Sequence, residues 1–329
     1  MAKIIFYCFL FLHYTLFVFG QPLRTITIDA EKARPLNLSV IAEKVTPIVL
    51  ETSTSIVNGN ILVTSEYLFI TSPTSIVQYD LTGKYIRTID CGDYINFNVT
   101  SDTIKKELYV PVGNTIKCYD YSGKLKKEYQ LKNEMLYILY FNGYLWIQSY
   151  HYDQSENKNI YSISKINLST GEIIPLSFTL EKNTMSSDFG RILPYNGDLI
   201  VSLGFDKALY KIQQDKVVPV VKWNINPASQ LPKDEVILST NGLTGNYMYI
   251  NYRRDDQFFI YIENLKNGSL FNVSDLVDDV YRTSGKCKLY PLPQEGYFFY
   301  AKDQYDIKGN SIGNQPLKKG PVIFIIKTK

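Results

Sequence analysis

The residues best suited to recognising a ligand fall in two places. Arg191 opens the apolar run RILPY, while Tyr252, Arg253 and Arg254, followed by Asp255 and Asp256, close the run NYMYI. A guanidinium presents a planar fork of N–H donors that matches a carboxylate or phosphate. A tyrosine ring adds a flat apolar face with a polar tip, which suits a sugar. Together these residues predict a receptor for an acidic glycan or a peptide carboxylate. An Arg–Asp pair neutralising itself on a rim would use the same side chains without a ligand. The second place is the polar stretch SYHYDQSENKN at 149–159, which carries His151 and Tyr152 and reads as a long loop. A second long polar loop, 302–321, is expected near the end of the chain. Loops set on a rigid frame carry function more often than the frame does.

Residues for catalysis are scarce. The chain has two histidines, and His13 sits in the apolar leader, which leaves His151. A Ser-His-Asp or Cys-His arrangement needs its base oriented by a third group in packed surroundings, and a lone histidine in a polar loop lacks that. Asn96, Asn98 and Asn241 could offer amide oxygens to calcium, but almost no carboxylates accompany them. No catalytic, metal or cofactor residue is therefore assigned. Past the leader the cysteines are Cys91, Cys118 and Cys287, an odd number without C-x-x-C spacing. They read as buried small hydrophobes, with one disulfide and a free thiol as the alternative. Thirty-five basic against thirty-two acidic residues give a net charge of +3, and the basic clusters KLKK and KK are short. That balance argues against a nucleic-acid partner. Asn37, Asn98, Asn167, Asn267 and Asn272 stand in N-x-S/T sequons, which would be glycan acceptors in a eukaryotic secretory route and in a bacterial protein would reflect only turn-rich composition.

The elements that must position these residues repeat along the chain. EYLFITSPTSIVQYDLTGKYIRTID at 66–90 returns as ELYVPVGNTIKCYDYSGKLKKEYQL at 107–131, with Tyr79, Asp80, Gly83 and Lys84 recurring as Tyr119, Asp120, Gly123 and Lys124. Nearly continuous apolar runs mark six units: EYLFI, ELYVP, GYLWI, GDLIV, NYMYI and GYFFY. Continuous rather than alternating runs mean strands covered on both faces. Turns such as DLTGK, DYSGK and NLSTGE join third to fourth strands, with Asp or Asn bonding the downstream backbone and Gly supplying positive φ. First strands are expected at ILVTS, INFNV, MLYILYF, GRILPY, EVILST and CKLYPL. Four antiparallel strands per unit of roughly fifty residues make the blade of a β-propeller. The blades are expected near 55–91, 94–131, 134–181, 189–225, 235–273 and 285–329. The last one lacks an outer strand, and VTPIVLE at 45–51 is the candidate to supply it, closing the ring and hiding two sheet edges. Residues 21–44 read as a leader with one short strand, and residues 1–20 as a cleaved secretory signal, with a retained anchor as the alternative.

The leader ITIDAEK…VTPIVLET and the hairpins YDLTGK and YDYSGK resemble the secreted six-bladed β-propeller proteins of Bacteroidota, related to NHL-repeat and TolB-like propellers. The resemblance covers the chain from about residue 25 and implies an all-β, six-bladed propeller exported to the periplasm or cell surface, without a membrane span after signal cleavage. The expected function is a binding or interaction module that captures a glycan or peptide at the channel mouth through Arg191, Tyr252, Arg253 and Arg254 and the two long loops. A lyase or hydrolase of glycan or peptide substrates is the alternative from another class. A structural part in an envelope complex, with a protein partner, is a third.

Overall fold

A computed structural model describes residues 23–52, 61–95, 98–182, 190–203, 206–226, 236–237, 241–254, 257–309, 311–318 and 320–329. The expected signal at 1–20 lies outside these residues, as do Asn96, Asp255 and Asp256.

The chain forms a six-bladed β-propeller of four-stranded antiparallel blades. Blade one is Ile61–Val63, Tyr67–Thr71, Ser75–Asp80 and Tyr85–Asp90, and blade two is Thr100–Asp102, Glu107–Val112, Thr115–Asp120 and Leu125–Gln130. Blade three is Glu134–Phe141, Tyr144–Asp153, Lys158–Asn167 and Ile173–Lys182. Blade four is Arg191–Tyr195, Asp198–Ser202, Ala208–Gln213 and Lys216–Asn226. Blade five has a divided inner strand, Val236–Ile237 and Gly242–Thr244, followed by Tyr247–Arg254, Gln257–Asn264 and Leu270–Val277. Blade six is Tyr290–Pro291, Tyr297–Lys302 and Val322–Thr328, completed by Ala42–Val49 from the other end of the chain. That closing strand runs antiparallel to the last one, with Val322 opposite Val49 and Ile326 opposite Val45.

Six apolar clusters explain the continuous runs, because one fills each junction between neighbouring blades. Each strand interior therefore packs on both sides. At the six–one junction Ile48, Leu50, Phe299 and Ile323 meet Ile61, Leu68, Ile70 and Tyr79. Backbone bonds fasten the same seam: Leu50 N–H donates to Pro321 O at 3.2 Å and Glu51 N–H to Gly83 O at 3.0 Å. Gly83 has φ +82°, and a Cβ there would stand 2.1 Å from Val49 O, so only glycine lets the first blade's turn approach the closing strand.

The leader does more than its sequence indicates. It supplies two strands, each adding in parallel to the outer edge of a blade. Arg24–Asp29 lies along Lys216–Asn226 of blade four, with Ile28 opposite Ile225. Arg34–Asn37 lies along Leu270–Val277 of blade five. Ile26, Ile28 and Ala30 join the four–five cluster, and Leu38 and Ile41 the five–six cluster. The segment is thus a belt across blades four and five that ends as the closing strand of blade six.

Two further expectations are corrected. Stretch 149–159 is mainly strand: Tyr144–Asp153 and Lys158–Asn167 pair through Asp153 and Lys158, leaving a tight turn at 154–157. Its polar residues reflect an exposed hairpin end, where cross-strand pairs such as stacked Tyr150 and Tyr161 supply the cohesion. In blade two the inner strand among the described residues is Thr100–Asp102, just after the expected INFNV, part of which lies outside those residues. Asn98 explains the shift. Its amide donates to Ile138 O at 2.6 Å and accepts from Ile138 N–H at 3.0 Å, so Asn98 is clamped to blade three, while Ile95 keeps a single bridge to Val112 of blade two. The stretch 302–321 contains a 3-10 turn, Gln304–Asp306, and a small hairpin of Ser311–Ile312 with Gln315–Pro316; Ile307 and Ile312 anchor it in the five–six cluster.

The Asp turns are structural. Asp120 Oδ1 accepts from Ser122 N–H (2.9 Å), Ser122 Oγ (2.5 Å) and Lys124 N–H (3.0 Å), and Asp80 does the same with Thr82 and Lys84. The Ser122 hydroxyl, then the backbone N–H groups, hold the Asp120 carboxyl below the usual carboxylate range. A depressed folded pKa contributes stability above the unfolded value, and that contribution disappears as pH falls through the folded value. Asn167 makes the equivalent turn with a neutral amide oxygen. Asp120→Ala should therefore cost about 1 kcal/mol at neutral pH, whereas Asp120→Asn should cost less and flatten the acid limb of the stability curve. Urea unfolding of the three proteins at neutral and acidic pH checks both statements.

Candidate functional site

Arg191 begins the inner strand of blade four, and its surroundings come from four blades. Its guanidinium carbon stands 5.9 Å from the ring centre of Tyr137 on blade three. Its Nη1 donates to Pro291 O of blade six at 3.4 Å. Its charge also bears on Tyr249 of blade five. One side chain can reach all of these only from the axis, where the inner strands converge. Its backbone is set by Arg191 N–H donating to Ser202 Oγ at 3.2 Å. The preceding Gly190 leaves room for this approach, since a Cβ there would lie 1.8 Å from Ser202 O and 2.6 Å from Gln148 Nε2.

The polar groups around the guanidinium are short of partners. Gln148 is 1 % exposed and sits directly opposite Tyr137 in the blade-three ladder, so the two side chains share a face. Neither amide atom of Gln148 has a hydrogen-bond partner among the described residues, and the same holds for the hydroxyl of buried Tyr249 and for Asn241 Nδ2. Asn241 uses its oxygen to receive Asn251 N–H at 2.5 Å. A buried polar group without a partner costs about 1–3 kcal/mol, and such groups are rare in folded proteins. Several of them gather beside one half-buried arginine among the described residues. Burial pushes the Tyr137 and Tyr249 phenols above their ordinary range, with Arg191 pulling in the opposite direction, so both are neutral donors at physiological pH.

The other expected residues lie elsewhere. Tyr252 is completely buried at the four–five junction, stacks on Phe259 and donates to Asn272 Oδ1 at 3.0 Å. It stands three positions after Tyr249, an odd offset along the strand, so the two rings point to opposite faces of blade five. Arg253 is half-buried opposite Val236 and Phe258; Arg254 ends the strand opposite Gln257, and its side chain lies outside the description. His151 and Tyr152 stand exposed on the blade-three hairpin, with Tyr152 OH bonded to Asn157 Oδ1 at 2.5 Å. Arg191 is the sequence-derived residue that the fold places on the axis. Gln148, Tyr137 and Tyr249 were missed. The signal for Gln148 was one uncharged polar residue ending the core run GYLWIQ; the tyrosines carried none.

The three cysteines are free and buried, each in a different inter-blade cluster, which rules out pairing among them. Burial pushes the Cys91 thiol up to about 11 and those of Cys118 and Cys287 to about 12. Because the thiolate is the reactive form, all three should resist alkylation in the native protein at neutral pH and react together once it is unfolded in urea, as mass spectrometry would read. Among the described residues, no three His, Cys, Asp or Glu side chains gather as metal ligands, and no helix is long and apolar enough to cross a membrane.

Comparison with solved structures supports the architecture. A candidate exported protein of Bacteroides fragilis NCTC 9343 superposes with a TM-score of 0.66 at 11% identity, over 94% of this chain and 100% of its own. Hydrazine synthase of Kuenenia stuttgartiensis gives 0.50 at 14% identity, over 75% and 74%. BamB of Moraxella catarrhalis gives 0.47 at 12% identity, over 77% and 72%, and adds nothing to that support. Identities this low bear on fold alone. No curated protein matches the chain. A family model does match it over residues 23–324, nearly the whole propeller, and on that evidence the chain belongs to the family described as domain of unknown function DUF4934.

Proposed function

We propose that this protein is an exported binding module that captures an acidic ligand at the mouth of its propeller channel. The observation that carries this reading is the Arg191 niche, in which a half-buried guanidinium lies beside the amide of Gln148 and the phenol of Tyr249, neither of which has a hydrogen-bond partner among the described residues. A carboxylate answers all three, accepting from the Arg fork and from the neutral phenol while the amide takes a neighbouring oxygen or hydroxyl. Export is supported by the apolar leader at 1–20 and by the name of the B. fragilis neighbour. The YDLTGK and YDYSGK hairpins support kinship with the NHL- and TolB-like propellers of Bacteroidota.

The test is an array of uronic-acid oligosaccharides, neutral oligosaccharides and peptides with free C-terminal carboxylates, probed with the protein from Gln21 onward. Retention of acidic members over neutral ones supports the reading, and the array separates the glycan from the peptide source of the carboxylate. Equal retention of acidic and neutral members would contradict it.

A further inference from the structure

A second concavity lies away from the Arg191 niche, where the connection from blade one to blade two passes the tip of blade two's central hairpin. It measures about 490 Å³ and is lined by Asp93, Tyr94, Val112, Gly113, Asn114, Thr115 and Lys117. That is within the usual size of a small-molecule site, roughly 300–1,000 Å³. The Tyr94 side chain is exposed although the backbone around it is firmly held. Cys91 N–H donates to Thr74 O at 3.0 Å and Ile95 N–H to Pro73 O at 2.7 Å, and Ile95 bridges to Val112. Ile95 is itself buried, so the chain is pinned on both sides of a tyrosine that remains 66 % exposed. A presented ring of this kind is not the by-product of a loose loop.

The polar groups are placed as firmly. Lys117 Nζ donates to Cys91 O at 3.0 Å and stands 3.7 Å from Asp93 Oδ2, and its side chain is only 18% exposed. The Asp93 carboxylate keeps most of its surface in solvent, and Asn114 stands exposed at the hairpin tip. One carboxylate and one ammonium nearly cancel, so the site does not select for charge. An aromatic face beside a carboxylate, an amide and an ammonium matches a hydroxylated ring with one apolar C–H face.

We propose that this concavity is a subsite for a neutral pyranose, with the sugar's C–H face on Tyr94 and its hydroxyls on Asp93, Asn114 and Lys117. It stands on residues separate from the Arg191 niche and does not depend on that reading.

The test uses saturation-transfer NMR and titration with cellotriose, xylotriose and mannotriose at millimolar concentration, on wild type, Tyr94→Ala, Asp93→Asn and Arg191→Ala. The proposal expects at least one trisaccharide to bind wild type and Arg191→Ala alike. It expects Tyr94→Ala to weaken that binding about tenfold or more and Asp93→Asn to weaken it measurably. Both substituted side chains are exposed, so unfolding should not confuse the readout, and thermal unfolding verifies this. Absence of binding by all three sugars, or binding untouched by Tyr94→Ala, would overturn the assignment.

Discussion

A chain that begins after Leu50, without the belt and closing strand, is expected to lose cooperative unfolding. The removed segment buries Ile26, Ile28, Ala30, Leu38, Ile41, Ala42, Ile48, Val49 and Leu50 in three of the six inter-blade junctions. Full burial of a large aliphatic side chain contributes about 1.5–3 kcal/mol, so the sum is comparable with the whole stability of a typical domain, about 5–15 kcal/mol. Removal also bares the edge of Val322–Thr328, a long apolar strand of the kind that templates aggregation. A graded version is Ile28→Ala, which removes a fully buried side chain from the belt and should cost about 3 kcal/mol in urea unfolding. An Ile28→Ala protein as stable as wild type would show that the belt merely decorates blade four.

Replacing Arg191 should have the largest effect on ligand capture. Alanine removes the guanidinium fork that a carboxylate would meet beside Gln148 and Tyr249, so affinity for an acidic ligand should fall at least a hundredfold, about 2.7 kcal/mol. Lysine keeps the charge but not the planar fork and should recover only part of the loss. Since the niche is recessed, salt should weaken wild-type binding far less than it would weaken a surface ion pair. Among the described residues the guanidinium is held by Pro291 O and the Tyr137 ring rather than by an ion pair, so Arg191→Ala should remain folded, and circular dichroism with a melting curve checks that. Full affinity in the alanine variant would remove Arg191 from the site.

The propeller was legible in the chain because its signal is local and repeated. The Asp-Gly turns at Asp80 and Asp120 and the doubly covered runs are properties of neighbouring residues, and the closing strand could be inferred from a blade one strand short. The belt was not legible because its partners are remote. TITID pairs in parallel with a strand some two hundred residues away, and nothing in six residues encodes that register. The hairpin at 149–159 reads as a loop in sequence because exposed strand ends are as polar as loops. In the site, Arg191 stood out as a charge at the head of an apolar run. Tyr252 misled because its hydroxyl is bonded to Asn272, a pairing visible only once blade five is folded. Tyr137 and Tyr249 look like any core tyrosine until four blades bring them to one guanidinium.

The most direct measurement is a calorimetric titration of the wild-type protein with an acidic oligosaccharide or peptide retained on the array and, in parallel, with its methyl ester. The ester preserves shape and removes only the charge read by Arg191. Capture by the niche predicts that the free acid binds at least tenfold more tightly than the ester and that Arg191→Ala erases this difference. Equal affinity for acid and ester would contradict carboxylate recognition at the channel mouth.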